Sequence, residues 1–170
     1  MASFTGEMTR CSIGRNKHIV AGKNNMCSVG FGATYGGYCG SYSRPYIFGS
    51  FTDQMKKEID FMIEVHRKIG EEWLKPGVTT GEITDLYNEF FRRKGFGNPP
   101  GAPCHGLGIM EDEEPFFQTA GAEILKPGMT IAVDNYFRTN DYGFRFEDVA
   151  VITETGAEFF TRNNWNYLEL

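Results

Sequence analysis

With 170 residues, 41% of them hydrophobic and 15% aromatic, the chain has the apolar surface for a single domain with a real core. Its net charge of -5, with 17 basic residues scattered rather than striped, argues against a nucleic-acid partner, and apolar runs such as 46–51 are far too short to span a bilayer. Glu7 sits where a signal peptide needs an apolar core, and Cys11, Cys27, Cys39 and Cys104 form no CxxC pair, so the composition points to a cytoplasmic protein with reduced thiols and no zinc ribbon.

Residues 1–26 lack periodicity and carry Gly6, Gly14, Gly22 and Asn16, Asn24, Asn25, which predicts loop and edge strand. Residues 27–35 alternate like a strand, Gly36-Gly37 supplies a turn that accepts positive φ, and 38–46 resume with aromatic residues, which makes a hairpin. Thr52 opens a long helix whose apolar face is Met55, Ile59, Met62, Ile69 and Trp73, ending at Lys75-Pro76-Gly77. His66 lies near that face and reads as a packed or half-exposed helix residue. Thr79 and Glu82 form a capping box for a second helix with Ile83, Leu86, Tyr87, Phe90 and Phe91 inward, and Gly95 closes it.

The Gly- and Pro-rich segment 95–103 is loop. Strands are predicted at 116–118, 129–137, 144–153 and 157–161, with Glu154-Thr155-Gly156 turning the last hairpin. The acidic run Glu111-Asp112-Glu113-Glu114 reads as a solvated loop in which Asp112 could also meet a cation. Strands, two helices and strands again predict one α+β domain over 1–170. There is also an internal echo between 23–47 and 126–152, which lays Val29-Gly30-Phe31 over Val133-Asp134-Asn135 and puts Ser41 near Glu147, as in two hairpins facing one site.

Chemistry concentrates in Cys104-His105-Gly106-Leu107-Gly108, Ile131-Ala132-Val133-Asp134 and Phe144-Arg145-Phe146-Glu147-Asp148-Val149. They supply one imidazole and two carboxylates on rigid segments, a pattern for metal ligands or acid/base groups. The rival reading is a satisfied polar network with Arg145 as counter-charge. Cys104 beside His105 points to the opposite side of an extended segment and reads as a small buried residue. The aromatics Phe116, Phe117, Tyr136, Phe137, Phe144 and Phe146 are mainly core, with some left to wall a pocket.

On these residues, together with Val29 to Tyr38, Lys75-Pro76-Gly77-Val78-Thr79 and Leu125-Lys126-Pro127-Gly128-Met129, the sequence resembles the creatinase/aminopeptidase P superfamily, the pita-bread fold shared with methionine aminopeptidase and prolidase. The resemblance implies a curved, mostly antiparallel sheet with helices on its convex face, corresponding to the later part of the family's catalytic domain and therefore N-terminally incomplete. Active metallopeptidases of that family hold two divalent metals with two aspartates, a histidine and two glutamates. Here the aspartate positions carry Gly30 and Ser41, the first glutamate position carries Asp134, and His105 and Glu147 match. A further family histidine, seven residues after the ligand one, is replaced by Asp112, and His18 is the only candidate for an upstream one.

These departures imply a degenerate metal site. The first expectation is a metal-independent hydrolase, resembling creatinase, that acts on a C–N bond of a small amino-acid-like or peptide substrate. His105, Glu147 and Asp134 would be catalytic, and Asp112, Arg145 and Ser41 substrate-binding. No cofactor is expected; if one divalent ion binds, His105, Asp134 and Glu147 hold it. The alternatives are a catalytically inactive pseudo-peptidase that binds a peptide or protein, and an Xaa-Pro-type metalloaminopeptidase. The expected partners are a small ligand and further copies of the chain, with neither nucleic acid nor membrane.

Overall fold

The structure is a computed structural model that describes residues 2–5, 9–10, 20–161, 165 and 168–170. His18 and Cys11 lie outside the described residues. In chain order the elements are β1 (Ala2–Thr5), β2 (Met26–Tyr35), β3 (Tyr38–Ile47), α1 (Asp53–Lys68), α2 (Thr80–Arg93), β4 (Cys104–Gly106), β5 (Glu113–Phe116), β6 (Thr130–Arg138), β7 (Gly143–Ile152), β8 (Ala157–Phe159) and β9 (Leu168–Glu169). The strands form one sheet in the order β1-β2-β3-β7-β6-β4-β5, with β8 beside β7 and β9 beside β3; every pairing is antiparallel except β3 with β9. The class is α+β, as the order of predicted elements implied.

Two hairpins make the centre. Gly36 and Gly37 turn between β2 and β3 with φ of 58° and 88°, a conformation that residues with a Cβ resist. The second hairpin pairs β6 with β7 from Thr130↔Val151 to Arg138↔Gly143, and the two hairpins join where Ser43 meets Glu147. Gly30↔Ser43 and Asp134↔Glu147 are equivalent pairs in the two hairpins, so the register sharpens the internal echo: Ser43, two residues beyond Ser41, is the counterpart of Glu147.

Both helices begin at side-chain caps. Thr52 accepts from the Met55 amide at α1, and at α2 Thr79 and Glu82 form the complete capping box, whose hydrogen bonds hold the Glu82 carboxyl below its usual range. Two details differ from expectation. The long helix ends in a π-helical turn over Ile69–Trp73, where the Leu74 amide reaches back to the Ile69 carbonyl at 2.8 Å; this widening sends both Ile69 and Leu74 into the core. In α2, Leu86 is exposed, because the buried face is centred on Thr80, Ile83, Thr84, Tyr87 and Phe91 and Leu86 falls off its edge.

The helices pack on one face of the sheet, where Ile59, Met62, Val65, Tyr87 and Phe91 meet Ile131, Val133, Phe137, Phe144 and Phe146. Full burial of each such side chain contributes roughly 1.5–3 kcal/mol before entropy is subtracted. The strand expected at 116–118 instead spans Glu113–Phe116, with Glu113 paired to Gly106 and Phe116 to His105, so the second half of the acidic run is strand rather than loop and Phe117 and Gln118 fall outside it. Cys27, Cys39 and Cys104 are not joined in disulfides. No helix among the described residues is long and apolar enough to cross a membrane.

Candidate active site

Strand alternation decides which polar groups share a face. On β6, Ile131, Val133 and Phe137 join the helix-side core, so Asp134 points to the opposite face; on β7, Phe144 and Phe146 do the same and Arg145 and Glu147 point away. Asp134 and Glu147 are directly opposed across the strand pair, and His105 on β4 pairs with Ala132, two residues before Asp134. The result is three converging donors: one atom each from His105, Asp134 and Glu147, all within 4.8 Å of one another. Beside His105, Gly106 lets β5 lie close against β4, since a Cβ there would stand 2.2 Å from the Glu114 carbonyl oxygen.

The imidazole of His105 is oriented by its neighbours. Its Nδ1 lies 2.9 Å from the Gly106 carbonyl, which can only accept, so Nδ1 carries the proton and Nε2 is left as the acceptor. Asp112 Oδ1 is 3.6 Å from the same Nδ1, from an exposed position. Arg145 Nε lies 3.1 Å from Asp134 Oδ1 as an ion pair without hydrogen-bond geometry, so that buried oxygen keeps unused accepting capacity.

The two carboxyls are electrostatically unusual. Burial pushes the Glu147 carboxyl up to about 7, and the Asp134 charge adds to the rise, while a hydrogen bond with the Ser41 side chain, the positive charge of Arg145 and, once its ring takes up a second proton, His105 oppose it. Burial also raises Asp134, against the lowering influence of Arg145 and His105. One of two closely opposed buried carboxyls therefore retains a proton near neutral pH, which suits an acid/base group.

A cavity of about 260 Å³ opens in front, walled by Asp112, Phe116, Phe117, Tyr136 and the loop 100–102, with His105, Asp134 and Arg145 on its inner side. Of the six residues singled out from sequence, His105, Asp134, Asp112 and Arg145 thus border one space. Glu147 lies behind Asp134, and Ser41 is buried against Glu147. Cys104 also borders the cavity, but it is buried and its thiol pKa is raised by that burial, so it offers no thiolate. Sequence reasoning left the 100–102 wall unassigned; its Gly and Pro content marked a loop but not the loop's position over the site.

The donor set can be tested against the pair of divalent ions that the resemblance implies. Gly30 offers no side-chain donor, the Ser41 side chain is already engaged with Glu147, and the Arg145 guanidinium stands beside Asp134 as a resident positive charge. Two hard ions need more oxygen donors than remain. The set does not fit a pair; it fits one ion, held by His105, Asp134 and Glu147.

Metallopeptidase family M24 matches over residues 5–154. The uncharacterised peptidase YqhT of Bacillus subtilis is 32% identical over 141 residues, and the Xaa-Pro dipeptidase of Pyrococcus furiosus 26% identical over 142; each alignment covers 82% of this chain and 40% of the relative. The crystal structure of X-Pro aminopeptidase from Thermotoga maritima superimposes with a TM-score of 0.93 at 24% identity, covering 99% of this chain and 48% of that one. The fold is thus the pita-bread fold, and the chain spans less than half the length of the relatives it matches.

Proposed function

The chain belongs to metallopeptidase family M24, and from that premise we propose that it hydrolyses a C–N bond of a small amino-acid-like or peptide substrate without a pair of metal ions. The observation that carries this reading is the exchange of charge at the site. Two carboxylate positions are lost to Gly30 and Ser41, while a guanidinium stands 3.1 Å from Asp134 and a proton near neutral pH rests on Glu147, pushed up to about 7 by burial and the Asp134 charge. Positive charge that metal would supply is thereby supplied by the chain.

In the proposed reaction, His105 Nε2 accepts a proton from water as its oxygen bonds to the scissile carbonyl carbon. When the C–N bond breaks, the departing nitrogen takes up a proton from the His105–Glu147 pair. Asp134 and Arg145 hold the substrate's polar groups, and Asp112 at the mouth attracts a cationic end. The cavity of about 260 Å³ suits a small substrate or the end of a peptide. Should one divalent ion bind to His105, Asp134 and Glu147, it would supply Lewis-acid polarisation there.

The reading further places the chain in the cytoplasm as a homo-oligomer. Tyr35, Tyr38, Ile109 and Met110 are exposed, and the Cys39 amide donates to the Gly108 carbonyl at 2.7 Å, which draws the β2–β3 turn and the loop after β4 together into an apolar patch. Light scattering tests this; a monomer at high concentration contradicts it. The function itself is tested by screening dipeptides and small amidino or ureido acids with chelator-dialysed protein. Turnover that survives chelation and is abolished in His105→Ala is expected. Turnover only on adding two equivalents of Mn or Co overturns the metal-independent reading, and saturable binding without turnover favours the pseudo-peptidase.

A further inference from the structure

Behind the site, on the helix side of the sheet, lies a second polar cluster that the reaction above does not use. His66 of α1 is 0% exposed, with Nδ1 2.8 Å from Asn135 Oδ1 and Nε2 2.8 Å from Asp148 Oδ2. The orientation of Asn135 is fixed independently: its Nδ2 donates to the Pro103 carbonyl at 3.0 Å, and a carbonyl can only accept. The oxygen of Asn135 therefore faces His66. The Asp148 carboxylate is equally an acceptor, already receiving Arg44 Nη2 at 2.7 and 2.9 Å and the Thr161 hydroxyl. A ring between two acceptors must donate at both nitrogens.

The surroundings accommodate the charge that this requires. Arg44 and Asp148 offset each other, and the His66 ring stacks on Phe159 at 5.6 Å and meets Trp165 edge-on at 5.3 Å, with Phe146 at 6.2 Å. Across the sheet, the charge of His66 acts to lower the Asp134 carboxyl, against the burial that raises it.

The partners of His66 are chain neighbours of the site. Asn135 follows Asp134, and Asp148 follows Glu147. The Pro103 carbonyl held by Asn135 also accepts the Asp134 amide at 3.2 Å and lies two residues before His105. Arg44 completes the link by donating to the Glu147 carbonyl at 3.0 Å. His66 thus bridges the two strands that carry Asp134 and Glu147 directly, and reaches the segment entering the His105 strand through Asn135.

We propose that His66 is a positioning residue for the site on the opposite face, a doubly protonated imidazolium whose bridge from Asn135 to Asp148 fixes the separation of Asp134 and Glu147 and the entry of His105. The proposal goes beyond the hydrolase reading but rests on it for the identity of the site.

The test is spectroscopic and needs no substrate, so a failure to find turnover leaves it intact. Long-range nitrogen–proton NMR of the unmodified protein should find both His66 ring nitrogens protonated at pH 7; one unprotonated nitrogen overturns the proposal. In His66→Gln, the carboxyl carbon signals of Asp134 and Glu147 should move, whereas Ile59→Val, a core change on the same helix, should leave them in place. Equal displacement in both variants, or none in His66→Gln, reduces His66 to a structural residue and overturns the proposal. Asn135→Ser removes only one of the two links and is read in the same way if His66→Gln does not fold.

Discussion

Asp134 and Asn135 are adjacent, as are Glu147 and Asp148, yet strand alternation sends the members of each pair into opposite kinds of environment. On the helix side, Asn135 and Asp148 have their acceptors filled by His66, Arg44 and Thr161, and little of the cluster touches solvent. On the other side, Asp134 Oδ1 lacks a hydrogen bond and burial raises the Glu147 carboxyl to about 7, so that it exchanges its proton near neutral pH. A satisfied buried network contributes to the uniqueness of the fold, whereas an incompletely satisfied one beside a cavity retains capacity for a ligand. The difference separates scaffold from site within one strand pair.

The largest effect should come from breaking the satisfied side. Arg44→Met leaves the Asp148 carboxylate buried without its bidentate partner, and urea unfolding should find a loss of roughly 3–5 kcal/mol. His105→Ala, on the incompletely satisfied side, should remove turnover with a far smaller stability change. If the two variants destabilise equally, the division between the faces fails.

The two neighbouring carboxyls should also respond to pH with opposite sign. Glu147 is raised to about 7, so the folded chain binds its proton more tightly than the unfolded chain, and this contribution to stability is lost as pH rises from about 4.5 to about 7. Glu147→Gln should therefore stabilise by up to about 3 kcal/mol at pH 8 and by little at pH 4. For Asp148, burial alone would raise the carboxyl, but the hydrogen bonds and charges of His66 and Arg44 outweigh it and hold it below its usual range. Its contribution is present above the usual carboxylate range and is lost as pH falls, so Asp148→Asn should cost most at neutral pH. Unfolding of both variants across pH checks the signs.

The face separation was partly legible in the sequence. The β6–β7 alternation and the resemblance located Asp134, Glu147 and His105, and the two glycines at 36–37 fixed the first hairpin. The rear network was not, because Asn135 and Asp148 lie 69 and 82 residues from His66 and no local pattern joins them. A signal was nonetheless present: a polar residue directly after each site carboxylate must point into the apolar face, where it needs a partner, and His66 is the imidazole on the helix that covers that face. The exposure of Leu86 and the early start of β5 depended on packing, which periodicity does not encode.

The smallest expected effect lies at the mouth of the site. Asp112 is exposed, so Asp112→Asn should change stability by no more than about 0.5 kcal/mol, while weakening binding of cationic ligands measured by calorimetry. Unchanged affinity removes it from the recognition of substrate.

The central claim is that the carboxylate-poor face replaces a pair of metal ions with groups of the chain itself. Metal stoichiometry by elemental mass spectrometry, after equilibration with Mn, Co or Zn and gel filtration, tests it most directly. At most one ion per chain is predicted, lost in His105→Ala; two tightly held ions per chain would contradict the account.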